Sequence, residues 1–522
     1  MSANLIAQLR SALQVHGEKV CAVDHGDTAR SLTYRELRQQ AFALAAELQH
    51  RFQPKMPNDP VVIGIVTRNS SQWLIADLAC LFAGITSLPL PLAFSQVQAE
   101  NLAAHCDGFL VDSAGQKTLT ERWLLELPAN KVRHLDLPAI PQPLAQTAVE
   151  HDWICKIIHT SGTTSNPKGV RLSCAAIGQV LNSLRFRMPA NAHLRYLSLV
   201  PLSLLLEQVT ASYLPLLAGG TIHFLPPNEP LLGEPGASPA RLTDWIQLVK
   251  PTALTVPPVM LNEFLRRLQE DREIARSLAT YLTEQVHITC GGAAVDVEIL
   301  RALEAQGVSV FQGYGLSENA SVVSVNTAEQ QRLGSVGKPL PHVQVRIGLD
   351  KTIEVKSTSL FSGYSGTDPS ACAMSADGWM DTGDLGALDS DGYLYVHGRK
   401  KNVICLANGR NVSPEQVELE YRKYDGVRDA AVFLDEDHGL IALLCVESQP
   451  DRSDLAQWST KRFSDVERPS KLWLLDLANP LLEQLYTVTG RPRRAEIAEA
   501  FAHRFSPSMQ RTSADEHACL SL

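Results

Sequence analysis

The sequence lacks several features that would narrow its class at once. Nowhere in its 522 residues is there an unbroken run of about 18 apolar residues, so no membrane-spanning helix is expected. The ten cysteines are far apart, which argues against a zinc site and against a small disulfide framework. The basic residues form no stripe and the formal net charge is −9, so nucleic acid is not expected as a partner. We expect a soluble protein in a reducing, cytoplasmic compartment.

Length and composition indicate two or more domains. A chain of 522 residues that is 45% hydrophobic can bury several cores. VVIGIV at residues 61–66 is strand-like, a helical pattern follows at 72–82, and the strand-like SLPLPL comes next at 87–92. Thr33 and Glu36 form the pattern of a capping box, which predicts the start of a further helix. These patterns favour an α/β fold with mostly parallel sheets.

The pattern changes after residue 342, where HVQVRI, KTIEVKS and GYLYVHG indicate a small β lobe. Ser413 is expected to cap a helix that has Pro414 at its first position and Gln416 completing the cap. A hairpin is expected in DAAVFLDEDHGLIALLCVES. The predicted parts are a large N-terminal domain with the β lobe at 1–398, a hinge at 399–402, a small mobile α+β C-terminal domain at 403–505 and a loose tail at 506–522.

A run rich in hydroxyl groups follows the strand-like ICKII. HTSGTTSNPKGV at residues 159–170 supplies hydroxyls, two glycines that let the backbone approach a ligand closely, and a lysine. Amides, hydroxyls and a fixed cation together can hold phosphate oxygens. The lysine is not followed by Ser or Thr and a helix, so the run is not a Walker loop. A polar surface loop is the alternative. The candidate phosphate-binding residues are Thr160, Ser161, Gly162, Thr163, Thr164 and Lys168.

A second loop combines an aromatic ring, a hydroxyl group and a carboxylate. FQGYGLSEN at residues 311–319 follows the strand-like GVSVF, and a loop of this composition can stack a base and hold a metal. By itself the pattern is also typical of a turn with a solvated glutamate. It lies about 150 residues after the first run.

These segments resemble the motifs of the acyl-adenylate-forming (AMP-binding) superfamily. The first run is similar to the phosphate loop of acyl-CoA synthetases, peptide-synthetase adenylation domains and firefly-type luciferases. GYGLSENASVVSVN, GSVGKPLP and GRKKNVICLANGRNVSPEQVE look most like bacterial long-chain fatty acyl-CoA synthetases. The resemblance extends from residue 32 to about residue 497, with the motifs in family order.

The resemblance implies roles for the residues of the second loop. Tyr314 would stack on adenine, Ser317 would touch the phosphate region, and Glu318 would hold Mg²⁺ together with Thr164. A glycine turn after the strand-like QVHIT resembles the backbone that lines the adenine pocket, although alone it would be only structural. Its residues are Gly291, Gly292 and Ala293.

Residues 379–418 resemble the ribose-binding and hinge motifs. Asp384 would accept hydrogen bonds from both ribose hydroxyls, because an ionised carboxylate offers acceptors to two donors, and Arg399 would also reach the ribose. Lys401 matches the hinge on which family members rotate the small domain. A solvated charge cluster is the alternative for this Arg-Lys-Lys run. Gly409 matches the glycine whose loop approaches the pantetheine thiol.

Two positions depart from the family pattern. In LYTVTGRPRRAEI, Arg491 occupies the place of the C-terminal catalytic lysine, which in the family bridges the acid and the α-phosphate. Arginine keeps the charge but is planar and bulkier, so a slow or specialised adenylation step is expected. Leu204 stands where fatty acyl-CoA synthetases usually carry a histidine at the acid and thiol entrance. The apolar run at 196–221 is expected either to line a hydrocarbon pocket or to fill the core.

The resemblance implies an acid–thiol ligase that uses ATP and Mg²⁺. An apolar, fatty-acid-like carboxylate would be activated as acyl-AMP and transferred to CoA or to a phosphopantetheine carrier protein. One alternative is an enzyme that works on an acyl-adenylate, or on a hydroxy acid that closes internally, without thiol transfer. Another is a non-catalytic relative that binds nucleotide or acyl-adenylate as a scaffold in a biosynthetic complex. The ligase is favoured by the residues retained together, which are Lys168, Tyr314, Glu318, Asp384, Arg399 and Gly409.

Overall fold

The structure is a computed structural model that describes residues 4–53, 60–136, 153–159, 168–234, 236–270, 272–365, 374–406, 411–435, 438–487, 490–505 and 519–521. The chain divides into two compact units. The first comprises Met1–Gly292, Glu298–Gln344 and Lys356–Gly378, and the second comprises Ala293–Val297, Val345–Val355 and Trp379–Leu522. Candidate site residues occur in both units.

The described strands up to residue 339 form two sheets. They are β1 (Val20–Asp24), β2 (Arg30–Thr33), β3 (Val62–Val66), β4 (Thr86–Pro89), β5 (Gly108–Val111), β6 (Val132–His134), β7 (Ile154–His159), β8 (Gly169–Ser173), β9 (Arg195–Ser198), β10 (Thr221–Phe224), β11 (Ala253–Val256), β12 (His287–Cys290), β13 (Val310–Tyr314), β14 (Ser324–Val325) and β15 (Lys338–Pro339). One sheet has the order β15-β14-β13-β12-β11-β9-β10-β1-β2 and the other the order β6-β5-β3-β4-β7-β8. Most neighbouring strands are parallel, which confirms the predicted α/β class.

Helices alternate with these strands. They are α1 (Leu5–Val15), α2 (Tyr34–Arg51), α3 (Ser71–Ala83), α4 (Gln96–Ala103), α5 (Ser113–Lys117), α6 (Cys174–Arg187), α7 (Leu205–Glu207), α8 (Leu214–Ala218), α9 (Pro239–Val249), α10 (Pro258–Glu270), α11 (Arg272–Glu284) and α12 (Val297–Ala305). The predicted capping box is present at the start of α2, where Thr33 N donates to the Glu36 carboxylate at 2.8 Å. The helix predicted at 72–82 is α3, and it is buried almost throughout.

A buried ion pair fixes the strand that leads into the candidate phosphate loop. Lys156 on β7 is fully buried, and its ammonium group contacts the carboxylate of Asp77 on α3. The hydroxyl group of Tyr213 donates to the same carboxylate at 2.5 Å. Burying a charge is costly unless it is paired and hydrogen-bonded, so these three groups depend on one another.

The strands and helices after residue 342 are shorter. They are β16 (Val343–Ile347), β17 (Thr352–Ser357), β18 (Met380–Leu388), β19 (Leu394–Arg399), β20 (Ile404–Cys405), β21 (Asn411–Val412), β22 (Val427–Asp435), β23 (Gly439–Val446), β24 (Lys471–Asp476), β25 (Cys519–Ser521), α13 (Pro414–Tyr421), α14 (Arg452–Arg462), α15 (Leu482–Leu485) and α16 (Arg494–Phe505). β16 to β19 form one sheet in chain order, and β22 to β25 form another. The antiparallel pairing of β22 with β23 confirms the predicted hairpin.

Two details of this part of the chain differ from what the sequence predicted. Ser413 lies at the N-cap of α13 and Pro414 at its first position, as predicted. The Ser413 side chain makes no capping bond, and its hydroxyl donates to His397 O at 3.3 Å. The predicted loose tail ends in β25, which pairs antiparallel with β24. That pairing joins residues about 50 positions apart, so no local pattern announces it.

The division into two units also differs from the predicted domain boundary. The second unit includes Val345–Val355 together with Trp379–Leu522, so most of the β lobe groups with the C-terminal part of the chain. Antiparallel pairing of β17, β18 and β19 accounts for this grouping. The hinge at residues 399–402 stays a prediction.

Candidate active site

The candidate phosphate loop connects two antiparallel strands. β7 and β8 pair with His159 opposite Gly169, where a Cβ atom would lie 2.8 Å from the His159 ring. Lys168 is exposed and directly precedes β8, so a strand follows the lysine and the run is not a Walker loop. Residues 160–167 lie outside the described part of the chain, among them Thr160, Ser161, Gly162, Thr163 and Thr164.

Lys168 and Glu318 contact the same side chain, that of Tyr364. The Lys168 ammonium group lies 4.9 Å from the centroid of the Tyr364 ring. The Tyr364 hydroxyl group donates a hydrogen bond of 2.7 Å to Glu318 Oε1. Because a cation is attracted to the face of an aromatic ring, the tyrosine links the cation of the first motif to the carboxylate of the second. Sequence reasoning missed Tyr364.

Backbone hydrogen bonds hold residues 361–365 between the two motifs. Phe361 N donates to Glu318 O at 2.8 Å, and Ser365 N donates to Gly169 O at 2.7 Å. This segment therefore joins the 3₁₀ turn that carries Glu318 to the strand that follows the candidate phosphate loop. The two predicted motifs come together through a third stretch of sequence.

The glycine turn and Tyr314 lie at one edge of the nine-stranded sheet. β12 and β13 are parallel neighbours, so Gly291 and Gly292 follow one strand where Tyr314 ends the next. A Cβ atom at Gly291 would approach Gly313 O to 3.2 Å, and Gly292 has a φ of +86°, so both positions favour glycine. Ligands of open α/β sheets bind beside this carboxyl edge. Ala293 follows the turn and belongs to the second unit.

Glu318 is suited to a metal ion that substrate phosphates also help to hold. Among the described residues, no group of three or more His, Cys, Asp or Glu side chains could hold a metal. Mg²⁺ is commonly bound by one or two carboxylates together with substrate phosphates. Glu318 is half-buried, and Tyr364 occupies only one of its two oxygens. A carboxylate has enough lone pairs to accept this bond and to ligate a cation. Ser317 begins the same 3₁₀ turn.

In the second unit, Asp384 and Arg399 are paired. They are direct partners across the antiparallel strands β18 and β19. Arg399 Nε lies 2.7 Å from Asp384 Oδ1, and the carboxylate is buried while the guanidinium group is partly exposed. A charge-assisted bond of this kind orients the carboxylate. The structure therefore joins the two residues that the sequence assigned to the ribose.

Lys401 lies in a 3₁₀ turn, Lys400–Asn402, directly after β19. The neighbouring Lys400 contacts the carboxylate of Asp350, and this bond lowers the pKa of Asp350. The turn is thus anchored to the preceding sheet at Lys400. Gly409 lies outside the described residues.

Arg491 is exposed at a tight turn. Thr487 N donates to Arg491 O at 2.8 Å, and Arg491 N donates back to Thr487 Oγ1 at 3.0 Å. The nearby Arg494 has a different role, since its guanidinium group donates to Glu418 Oε1 at 2.6 Å. Glu418 is buried, and burial raises its pKa to about 7 despite this contact. Arg494 is therefore structural, and Arg491 remains the candidate for the catalytic cation.

The segment that contains Leu204 is held by buried polar groups that the sequence analysis missed. Leu204 is half-buried directly before α7. Glu207 is fully buried, and its Oε1 accepts bonds from Ser198 Oγ at 2.7 Å and from Leu199 N at 3.1 Å. Burial raises the pKa of Glu207 to about 8. The Asn69 amide donates to Ser198 Oγ at 2.9 Å and so ties the segment to the loop before α3.

Leucines of the same run are buried, as the core-filling alternative expects. They are Leu205, Leu214, Leu216 and Leu217. In the part of the chain that the structure describes, no helix combines the length and the apolar character needed to cross a membrane.

Comparison with known proteins agrees with the resemblance seen in the motifs. The profile of the AMP-binding enzyme family matches residues 9–364. Long-chain-fatty-acid–CoA ligase FadD15 of Mycobacterium bovis is 35% identical over 159 residues, which cover 30% of this chain and 26% of that protein. The 2-succinylbenzoate–CoA ligase of Geobacillus kaustophilus is 28% identical over 364 residues, which cover 65% of this chain and 69% of that protein.

Solved structures show the same fold. O-succinylbenzoate coenzyme A synthetase (MenE) from Bacillus subtilis, in complex with ATP and magnesium ion, is similar with a TM-score of 0.76 at 22% identity, covering 94% of this chain and 98% of that one. The anthranilate CoA ligase AuaEII, in complex with anthranoyl-AMP, is similar with a TM-score of 0.78 at 19% identity, covering 95% and 97%. The chain belongs to the AMP-binding enzyme family.

Proposed function

We propose that this protein is an ATP-dependent acid–thiol ligase. It activates a carboxylic acid as an acyl adenylate with release of pyrophosphate, and then passes the acyl group to a pantetheine thiol. The observation that carries the proposal is the contact of Lys168 and Glu318 with one tyrosine, in a chain that belongs to the AMP-binding enzyme family. A cation and a carboxylate that contact opposite parts of one tyrosine side chain suit a metal-bound polyphosphate.

MgATP supplies the activated phosphate in this proposal, and the residues of the chain hold it. Lys168 would offset the negative charge of the phosphates, and Glu318 and Thr164 would hold Mg²⁺. Tyr314 stacks on the adenine beside the turn formed by residues 291–293. Asp384, oriented by its bond to Arg399, accepts the ribose hydroxyls. Gly409 lies in the loop that approaches the pantetheine thiol, and rotation at Lys401 exchanges the adenylation and transfer arrangements.

Arg491 takes the place of the catalytic lysine in this proposal. Its positive charge lets the carboxylate of the acid approach the α-phosphate. The guanidinium group is planar and more weakly hydrated than an ammonium group, so the charge is delivered in a different geometry. Adenylation is therefore slower than with lysine, or it is restricted to acids that suit the guanidinium group.

The substrate we propose is an apolar, fatty-acid-like carboxylic acid, and the acceptor is CoA or a carrier protein. Relatives are named for long-chain fatty acids and for 2-succinylbenzoate, so an aryl acid is the competing substrate class. Leu204 makes the position before α7 apolar where a histidine would be polar. The cytoplasmic location and the absence of a nucleic-acid partner remain predictions.

A second candidate is a relative that binds nucleotide or acyl-adenylate without turnover. It is favoured by the two departures at Arg491 and Leu204. The first candidate requires chemistry at the α-phosphate, whereas the second requires binding alone, so product formation distinguishes them.

The test is a panel of fatty, hydroxy and aryl acids incubated with MgATP, with and without CoA. Pyrophosphate and thioester are measured for the natural protein, for Arg491→Lys and for Glu318→Gln as an impaired control. We expect acid-dependent pyrophosphate release that Glu318→Gln lowers ~10²–10³-fold, and thioester only with CoA. Nucleotide binding without pyrophosphate release, restored by Arg491→Lys, supports the second candidate instead. Pyrophosphate release without thioester indicates a carrier-protein acceptor or a product that closes internally.

A further inference from the structure

We propose that Tyr364 is a positioning residue that keeps Lys168 and Glu318 apart, so that the lysine faces phosphate and the glutamate faces metal. This inference rests on the proposed function and assigns a role to a residue that none of the recognised motifs contains. The tyrosine uses two chemically separate parts of its side chain. The ring face holds the ammonium group at 4.9 Å from its centroid, and the hydroxyl group donates to the carboxylate at 2.7 Å.

Without an intervening group, the two charges would be expected to pair directly. Lysine carries a compact charge on a flexible stem, and a carboxylate within reach is its natural partner. Lys168 and Glu318 form no direct ion pair among the described residues, although both contact Tyr364. A direct pair would neutralise both charges, so that the lysine would no longer attract phosphate and the carboxylate would no longer attract a cation. The ring and the hydroxyl group therefore keep both residues available.

The position of the Tyr364 side chain is set by the backbone on both sides. Tyr364 forms a β-bridge with Val170 on β8. Gly363 accepts a hydrogen bond of 3.1 Å from Arg171 N and has a φ of +91°, a conformation that glycine adopts without strain. The Phe361 ring meets the tyrosine ring edge to face, with centroids 4.8 Å apart. These contacts hold the tyrosine ring in one position. The ring in turn positions the ammonium group of Lys168, which is exposed.

Two variants separate the two contacts of Tyr364. Tyr364→Phe keeps the ring and removes only the hydrogen bond to Glu318. Tyr364→Leu removes both the hydrogen bond and the cation–π contact with Lys168. Tyr424→Phe is the matched control, because the Tyr424 hydroxyl group donates to the carboxylate of Asp454 at 2.8 Å outside the candidate site.

The experiment measures ATP affinity at equilibrium without any acid, as a function of Mg²⁺ concentration, so that turnover does not contribute. For Tyr364→Phe we expect the Mg²⁺ concentration at half-saturation to rise about tenfold, with metal-free ATP affinity nearly unchanged, because only a bond to a charged group is lost. For Tyr364→Leu we expect metal-free ATP affinity to fall roughly two- to fivefold as well, because the cation–π contact is lost. Tyr424→Phe is expected to match the natural protein in both measurements.

The outcomes separate the inference from the function on which it rests. If the natural protein does not bind MgATP, the proposed function fails, and the role of Tyr364 fails with it. If the natural protein binds MgATP and Tyr364→Phe responds to Mg²⁺ as the natural protein does, the positioning role alone is overturned. Equal losses in metal-free ATP affinity for both Tyr364 variants also overturn it. Such a result would indicate a general loosening of the site and not separate effects on metal binding and phosphate binding. Thermal unfolding of each variant confirms that it is folded, and the Phe variant decides the outcome if the Leu variant is not.

Discussion

Arg399 and Asp384 face each other on two neighbouring antiparallel strands, and the Arg399 Nε atom is 2.7 Å from the buried carboxylate of Asp384. The pairing leaves the guanidinium group partly exposed, so the cation orients the carboxylate without being buried itself. Two residues that the sequence placed at the ribose thus form one unit in the structure. Changes at either residue should affect both stability and nucleotide binding.

Arg399→Gln should lower the free energy of unfolding by about 1 kcal/mol, because the buried carboxylate loses its cation while the exposure of the arginine limits the effect. The double variant Asp384→Asn/Arg399→Gln should recover most of this loss, since no buried charge is left unpaired. Denaturant unfolding measures the free energy of unfolding of the single and the double variant. Arg428→Gln is the control, because it breaks an exposed pair with Glu447 at 2.7 Å and should change stability little. A loss at Arg399 no larger than at Arg428 would contradict the prediction.

Lys156→Met should destabilise the first unit by about 3–5 kcal/mol, because it leaves the carboxylate of Asp77 buried without its cation. Lys156→Met/Asp77→Leu should be much closer to the natural protein, since both charges are then absent. Tyr213→Phe removes only one hydrogen bond and should cost less than the single Lys156 change. Urea unfolding of the four proteins tests this order. Equal stability of the single and double variants would show that the pair is not coupled.

Glu207 should make the protein less stable as the pH rises from about 4.5 to about 8. Its pKa is raised to about 8 by burial, so the folded state keeps a proton that the unfolded state loses above its usual pKa of 4.5. Stability is complete below that usual value and falls by up to about 1.4 kcal/mol per pH unit across the window. Glu207→Gln imitates the protonated form and should remove this slope. Parallel stability curves for the two proteins, measured by denaturant unfolding at several pH values, would refute this assignment.

His193 should make the protein less stable as the pH falls from about 6.5 to about 3. It is buried, and burial lowers its pKa to about 3, so the unfolded state binds a proton that the folded state does not between about 6.5 and 3. Stability is therefore present above the usual pKa of about 6.5 and is lost as the pH falls. His193→Gln should flatten the acid side of the curve, whereas a change at the exposed His50 should not. Both variants can be compared by thermal unfolding at pH values on either side of the window.

The sequence predicted what depends on local patterns. The alternation that gives β3, α3 and β4 and the hairpin of β22 and β23 are visible as short periodic segments. The capping box at Thr33 was correct because its partners are three residues apart. The N-cap position of Ser413 was also correct, but the expected side-chain capping bond is absent, and the hydroxyl group is oriented by a bond to the carbonyl of His397. Local chemistry decides such features only when no tertiary partner intervenes.

The candidate site was predicted by motif, but the contacts that join the motifs were not. Tyr364 lies in FSGYSG, a stretch whose composition is typical of a turn. The bridge to β8 and the backbone bond from Phe361 N to Glu318 O bring it to Glu318. Glu207 lies in an apolar run, where a single carboxylate gives no sign that it will be buried and protonated. Tyr364 depends on pairings between distant parts of the chain, and Glu207 depends on a turn that brings Ser198 and Leu199 back to it. Local periodicity carries no information about either arrangement.

The measurement that tests the central claim most directly is exchange of labelled pyrophosphate into ATP in the presence of each acid of the panel. Exchange requires reversible adenylation and does not depend on the thiol acceptor. We predict exchange that requires an acid and Mg²⁺, increases in Arg491→Lys and is lost in Glu318→Gln. Binding of MgATP with no exchange for any acid, in the natural protein and in Arg491→Lys alike, would contradict the proposal that this chain forms acyl adenylates.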